Sequence, residues 1–201
     1  STYYFNMNYS FEYIDIILLA MIAGFIFLRL RGILGKKTGF EENISTSFPH
    51  EASPKKTTRK LDAKNFDEIA KTEFLKGAKI AYETIITNFA SGDLKKIKSL
   101  LDIKVFDQFN KALGERKKMG LTSDTTFIGI NSAEIKEHKE TGNFLEVTVD
   151  FVSEIISCIR DKEKKVVSGD AKKIKKVFDT WKFSRDTRSS NPNWLLVDTQ
   201  A

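Results

Sequence analysis

Three aspartates, Asp150, Asp179 and Asp186, are the residues of this chain best suited to acid–base chemistry. Each lies in or next to a stretch that alternates apolar and polar residues, so each is expected on or beside a β-sheet. A carboxylate buried in a pocket can act as a general base when its pKa is raised and a hydrogen-bond donor lies opposite. Ion pairs at strand ends imitate such sites, and we therefore expect a structural or partner-contact role for these aspartates.

The other residue types that carry chemistry are scarce or wrongly spaced. The only histidines, His50 and His138, have no partner arrangement of Ser, Cys and Asp, and both are predicted to be surface residues. The single cysteine, Cys158, stands among isoleucines and is predicted to be a small buried side chain. No metal-ligand spacing and no glycine-rich phosphate loop occurs. We predict no catalytic residue, no metal, no cofactor and no enzymatic activity.

Charged residues are expected to contact partners or to stabilise the fold. Arg160 with Asp161 and Arg185 with Asp186 stand at predicted strand ends, where they can pair across neighbouring turns. The formal net charge of +6 favours anionic partners. Because aromatic residues are not interleaved with the lysine runs, specific nucleic-acid binding is not predicted. Solvated lysines, or contact with anionic lipid headgroups, are the two remaining interpretations.

Apolar residues at spacings of three and four predict the elements that would position these groups. A long helix is expected from about Asn65 to Gly92, with Ile69 in its apolar stripe, and a short helix over Asp93–Leu101. Asp102 is the predicted cap of a third helix, which Gly120 ends.

Alternation of period two then predicts strands over Thr125–Lys139 and Phe144–Arg160 and a short strand around Val166. A break at Ser168–Asp170 precedes a hairpin over Val177–Thr199, whose first strand is apolar on both faces and is expected to be covered on both sides. The predicted fold is α+β, with helices packed on one face of a four- or five-stranded antiparallel sheet. A pocket between helices and sheet would have the following wall residues: Tyr82, Phe106, Phe109, Phe151 and Trp181.

The first 64 residues differ in character from the rest. Ile16–Leu28 is an unbroken apolar run, which its flanks extend to a predicted transmembrane helix over about residues 11–31. The lipid-facing anchor residues would include Ile16, Leu18, Leu19, Ile22, Phe25, Phe27 and Leu28. A cleaved signal peptide would need a basic start, whereas here the basic residues follow the run and predict a cytoplasmic C-terminal side. Residues 1–37 are thus assigned to the anchor, 38–64 to a basic linker and 65–201 to the α+β domain.

Several segments stand out by their order and spacing, above all GAKIAYE, CIRD and WKFSRD with NPNW. Together they resemble the Tim44-like domain family, and IDIILLAMIAGFIFLRLRGILGKKTG resembles the anchor of its bacterial members. The resemblance implies a cone-like domain related to nuclear-transport-factor-two-like folds, held at the bacterial inner membrane by a single span. It implies a non-catalytic scaffold whose protein partners are translocation or chaperone components. The alternative that it implies is a module that binds a lipid or small apolar ligand in its pocket.

Overall fold

The computed structural model of the chain describes residues 61–191 and 193–200. The predicted membrane span at Ile16–Leu28 and nearly all of the predicted linker lie outside the described residues. Among the helices that are described, none has both the length and the apolar character needed to cross a bilayer.

Helix α1, Glu68–Ser91, begins directly after its N-cap residue, Asp67. The Asp67 carboxylate accepts a hydrogen bond from the backbone N–H of Ala70 at 2.9 Å, which satisfies one of the unpaired donors of the first turn. The helix therefore starts three residues later than predicted, and it ends before Gly92 as predicted. Ile69, which was placed in the apolar stripe, is 69% exposed because the buried side of α1 runs through Phe74, Ala78, Tyr82 and Ile85.

The segment after α1 was predicted as a short α-helix, and this is wrong in type. It forms two 3₁₀ turns, Leu94–Lys96 and Lys98–Leu100. Leu94, Ile97 and Leu100 are buried, and their spacing of three matches the three residues per turn of a 3₁₀ helix. Helix α2, Ile103–Lys118, follows with the predicted cap, since the Asp102 carboxylate accepts a hydrogen bond from the Lys104 N–H at 3.2 Å.

The sheet has four antiparallel strands in chain order. They are β1, Thr122–Thr141; β2, Phe144–Arg160; β3, Val166–Asp186; and β4, Leu195–Gln200. Strand β2 has the predicted bounds, whereas β1 extends beyond its prediction at both ends. The predicted α+β architecture, helices packed on a four- or five-stranded antiparallel sheet, is therefore confirmed with four strands, but two α-helices are present where three helices were predicted.

Strand β3 runs through the break predicted at Ser168–Asp170. Ile155 pairs with Lys175 and Ser157 with Asp170, so residues 171–174 bulge out opposite one residue of β2. Gly169 has φ +74°, and a Cβ there would collide with the Ser157 carbonyl oxygen. The glycine that suggested a chain break thus allows a close approach of β3 to β2.

The core lies between the two α-helices and one face of the sheet. The other face of β3 is not covered by the described helices, contrary to the prediction for this strand. Phe178 on that face is 63% exposed, whereas Trp181 and Phe183 on the core face are 5% and 2% exposed. Successive side chains of a strand point to opposite faces, and both described helices pack on the same one. The largest fully buried side chains are those of Tyr82, Ile85, Ile97, Val105, Leu145, Val147, Val149, Phe151 and Leu196.

Candidate functional site

Three of the five predicted pocket-wall residues meet at the centre of the core. The ring of Tyr82 stacks on that of Phe151, with centroids 4.2 Å apart, and lies 4.6 Å from the ring of Trp181. Phe151 and Trp181 are themselves in edge contact at 5.9 Å. Their exposed fractions are 0%, 1% and 5%, so these rings fill the space between α1 and the sheet.

The other two predicted wall residues lie on α2. Phe109 is buried and packs against Phe89 of α1 at a centroid distance of 4.7 Å. Phe106 is half-buried, and the Nζ of Lys98 lies 5.7 Å from its ring centroid. The structure thus brings Tyr82, Phe151 and Trp181 into one cluster and places Phe106 and Phe109 where α2 covers the core.

A hydrogen-bonded polar group is built into the aromatic cluster. The Tyr82 hydroxyl donates to Oδ2 of Asp179 at 2.6 Å and lies 2.9 Å from Oγ of Ser153. Burial raises the pKa of Asp179, and the hydrogen bond from Tyr82 opposes that rise. Burial and the neighbouring Asp179 carboxyl likewise raise the pKa of Tyr82. Sequence reasoning named Tyr82 and Asp179 separately but not their contact, which joins residues 97 positions apart.

The three aspartates considered for acid–base chemistry do not share a site. Asp179 points to the core side of the sheet, since it is paired with Phe151. Asp150 is paired with Thr180 on the opposite face, where the Thr180 hydroxyl donates to Oδ1 of Asp150 at 2.6 Å. Asp186 lies at the end of β3, and its hydrogen bonds with Arg188 lower the pKa of its carboxyl. Because Tyr82 is fully buried, its pair with Asp179 is a core contact that fastens α1 to the sheet.

The predicted charge pairs at the strand ends have separate surroundings. Nε of Arg160 lies 3.4 Å from Oδ2 of Asp124 on β1. The Asp161 carboxylate accepts hydrogen bonds from the backbone N–H groups of Glu163 and Lys165, at 2.9 and 3.0 Å, and so shapes the turn between β2 and β3. Burial lowers the pKa of Arg185, whose Nε is buried without a hydrogen-bond partner among the described residues.

A basic cleft of about 460 Å³ opens at the end of the molecule where both helices finish. The start of β1 and the β2–β3 turn complete its wall, and Arg116, Lys117, Lys162 and Lys164 carry its positive charges. Nη2 of Arg116 donates to the Ala90 carbonyl at 2.9 Å, so this cation also compensates the negative end of α1. The turn lysines stood out in the sequence, but their position beside Arg116 depends on the tertiary fold.

The remaining candidates for chemistry have ordinary surroundings. Cys158 is buried as predicted, and His138 is half-buried with its ring 5.1 Å from that of Phe66. His50 lies outside the described residues. Across residues 61–191 and 193–200, no group of three or more His, Cys, Asp or Glu side chains is placed to hold a metal ion.

Comparison with known proteins yields one family. The family described as "Tim44-like domain" matches residues 57–201. A Caenorhabditis elegans protein named as a probable mitochondrial import inner membrane translocase subunit, tin-44, is 28% identical over 143 residues, which cover 69% of this chain and 33% of the relative. The chain thus spans about a third of the length of this curated relative.

Solved structures are similar at low sequence identity. The intermembrane-space region of the chloroplast protein ARC6 is 13% identical, with a TM-score of 0.41 over 62% of this chain and 93% of that one. A putative NTF2-like transpeptidase from Campylobacter jejuni is 17% identical, with a TM-score of 0.25 over 61% of this chain and 95% of that one. The relation to cone-shaped folds stays a prediction.

Proposed function

The chain belongs to the Tim44-like domain family, and from this premise we propose that it is a membrane-anchored, non-catalytic scaffold that binds protein partners. Its partners would be components of protein translocation or membrane-protein assembly, with chaperone components among them. The observation that carries the proposal is the family match over residues 57–201, which includes the whole described fold. The name of the nematode relative, a subunit of an import translocase of the mitochondrial inner membrane, supports the same area of function.

The geometry of the core supports a non-catalytic role. General acid–base catalysis needs a titrating group within reach of a bound reactant. Here the carboxyl group with a raised pKa, that of Asp179, is bonded to the fully buried Tyr82 hydroxyl. Asp150 lies on the other face of the sheet, so it cannot complete a site with Asp179.

The anchor belongs to the proposal as well. A single span at Ile16–Leu28, followed by basic residues, would hold the domain on the cytoplasmic side of a bacterial inner membrane. Tethering confines the domain to a thin layer at the bilayer, where its effective concentration for membrane partners is in the millimolar range for short linkers. Weak contacts with such partners then suffice for function.

Crosslinking in intact cells tests this function. We expect the full chain, crosslinked and purified in mild detergent, to retain components of translocation or membrane-protein assembly, because tethering favours their encounter. The matched control is the same chain with Leu19 and Ile22 changed to lysine, which places two charges in the predicted span. Recovery of no membrane or secretion component with the unaltered chain would refute the proposal.

Binding of a lipid or small apolar ligand is the second candidate function, and the basic cleft favours it. The predicted wall residues Tyr82, Phe151 and Trp181 pack against one another, so a ligand with an anionic headgroup would instead meet Lys162 and Lys164 at the cleft. Basic residues near an anionic bilayer each contribute about 1 kcal/mol of binding free energy.

Vesicle flotation tests that candidate. In the chain whose predicted span is disrupted by Leu19→Lys and Ile22→Lys, Lys162→Gln with Lys164→Gln should weaken binding to vesicles of anionic phospholipid by about tenfold or more, since two surface cations are lost. Lys79→Gln with Lys111→Gln removes two exposed lysines outside the cleft and is the control. Equal effects of the two double variants would show that net charge, and not the cleft, governs the interaction.

A further inference from the structure

The strand register defines a sheet surface that the two described helices leave uncovered. Residues directly opposite each other in antiparallel strands share a face, and the face away from the core is called the outer face below. At its centre, Ser132, Val152 and Phe178 form one row across β1, β2 and β3. On one side of this row lie two further rows, Glu134–Asp150–Thr180 and Glu137–Thr148–Lys182. On its other side lies the pair Glu154–Lys176.

The outer face is acidic although the whole chain carries a formal charge of +6. Four carboxylates of β1 and β2, those of Glu134, Glu137, Asp150 and Glu154, stand against the two β3 lysines Lys176 and Lys182. The ion pairs formed between described residues involve none of these four carboxylates. Asp150 accepts a hydrogen bond from the neutral Thr180 hydroxyl, which leaves the charge of the carboxylate uncompensated.

An aromatic side chain stands out of this acidic surface. Phe178 is 63% exposed and lies beside Val152. Aromatic residues are enriched at the centres of protein interfaces, where a few of them supply most of the binding energy. The outer face thus combines an apolar centre with a rim of negative charge.

Strand β1 and the part of β3 that extends beyond β4 form edges that do not invite strand addition, so a partner of these strands would use the face. The free edge of β1 is interrupted by three register shifts, between Phe127 and Gly129, Ile130 and Ser132, and Ile135 and Glu137. The part of β3 that extends beyond β4 carries Lys172, Lys173, Lys175 and Lys176. Bulges and edge lysines are devices that prevent pairing with another strand.

Charge complementarity selects the occupant. A second copy of the chain would bring two acidic faces together, and an anionic lipid surface would be repelled in the same way. An amphipathic polypeptide segment could place basic side chains against the carboxylates, which would neutralise them, and apolar side chains over Phe178 and Val152. We propose that the outer face docks a basic, amphipathic polypeptide segment of a protein partner. This inference rests on the proposed function in protein binding and names the surface and the chemistry that it uses.

Peptide binding to the full chain in mild detergent tests the proposal. The probe is a fluorescent 18-residue amphipathic peptide of Lys and Leu, and the control probe has Glu at every Lys position. We expect the basic peptide to bind and Phe178→Ala to weaken it about tenfold, as loss of an interface anchor does. Glu134→Gln with Glu154→Gln should weaken binding and reduce its salt dependence, because screening acts on the charged contacts.

Matched variants elsewhere on the surface complete the design. Ile69→Ala removes an apolar side chain that is 69% exposed, and Glu163→Gln removes an exposed carboxylate of the β2–β3 turn. Both should leave peptide affinity within about twofold of the unaltered chain, as surface changes outside an interface do. Equal affinity of the two probes, or effects of Ile69→Ala as large as those of Phe178→Ala, would overturn the proposal.

Other occupants would also overturn it. Dimerisation of the chain that Phe178→Ala abolishes would assign the outer face to a second copy. Tighter peptide binding after Lys55, Lys56, Arg59 and Lys60 are changed to Gln would assign it to the chain's own basic segment. Photocrosslinkers placed at position 178 and at position 69 in cells distinguish failure of the outer-face proposal from failure of the proposed function. Partners captured only at position 69 would refute the outer-face proposal alone. Capture of no partner at either position would speak against the proposed function itself.

Discussion

Phe151→Ala is expected to lower the free energy of unfolding by about 3–5 kcal/mol, the usual cost of truncating a buried aromatic ring. Phe151 is 1% exposed and contacts the rings of Tyr82, Trp181 and Phe183, with centroids 4.2, 5.9 and 6.4 Å away. Its removal forfeits the transfer free energy of the ring and leaves a cavity at the point where α1, β2 and β3 meet. Urea denaturation followed by tryptophan fluorescence measures the loss, with Trp181 beside the cavity as the reporter.

The neighbouring strand provides the control for this prediction. Phe178→Ala removes the same side chain from the outer face, where it is 63% exposed. We expect it to change the free energy of unfolding by no more than about 0.5 kcal/mol, as surface substitutions do. If both variants lost the same stability, the helices would have been assigned to the wrong face of the sheet, and the outer-face proposal would fail with that assignment.

Tyr82→Phe is the second large expected effect, a loss of about 1–3 kcal/mol at neutral pH. The variant keeps the stacked ring but removes the hydroxyl that donates to Asp179 at 2.6 Å and contacts Ser153 at 2.9 Å. Two polar groups inside the cluster are then left without this partner, and an unsatisfied buried group costs more than a hydrogen bond contributes. Urea denaturation at pH 7 measures the loss.

The pH dependence identifies the carboxyl group that is responsible. Burial raises the pKa of Asp179, so the folded state binds this proton more tightly than the unfolded state does. The stability that this group contributes is fully present below its unfolded pKa of about 3.9 and is lost as the pH rises through the raised folded value. The stability of the unaltered chain relative to Asp179→Asn should therefore decline with rising pH.

Tyr82→Phe should move that decline to higher pH. The hydrogen bond from Tyr82 lowers the pKa of Asp179, and its removal leaves burial unopposed. Urea midpoints of the unaltered chain, Asp179→Asn, Tyr82→Phe and the double variant, taken between about pH 4 and pH 8, isolate the group because all other titrations are shared. Parallel pH profiles for the unaltered chain and Asp179→Asn would contradict the assignment.

Local features of the fold were predictable because short-range chemistry governs them. The Asp102 cap and the end of α1 before Gly92 follow from hydrogen bonding within one turn of a helix. The bounds of β2, Phe144–Arg160, follow from the alternation over Leu145–Phe151 and from the glycine turn and the charged turn that flank the strand. Family membership was predictable as well, because it depends on the order of several segments along the chain.

Errors in the prediction arose where distant contacts overrule local signals. Gly169 was predicted to end a strand, but β3 continues past it. Strand β2 approaches β3 so closely at this position that a residue without a side chain is required. Phe178 read as buried, but it lies on the face that no described helix covers. Ile69 read as part of an apolar stripe, but the helix turns that position away from the sheet.

The sequence by itself determined the class of fold, the segment order that marks the family and the types of residue available for chemistry. Periodicity and capping suffice for these, since each depends on residues within a few positions of one another. Only the tertiary structure decided that Tyr82, Ser153 and Asp179 form one buried group and that Asp150 faces the other way. The strand register sets both outcomes, because a shift of a single residue moves every side chain to the opposite face.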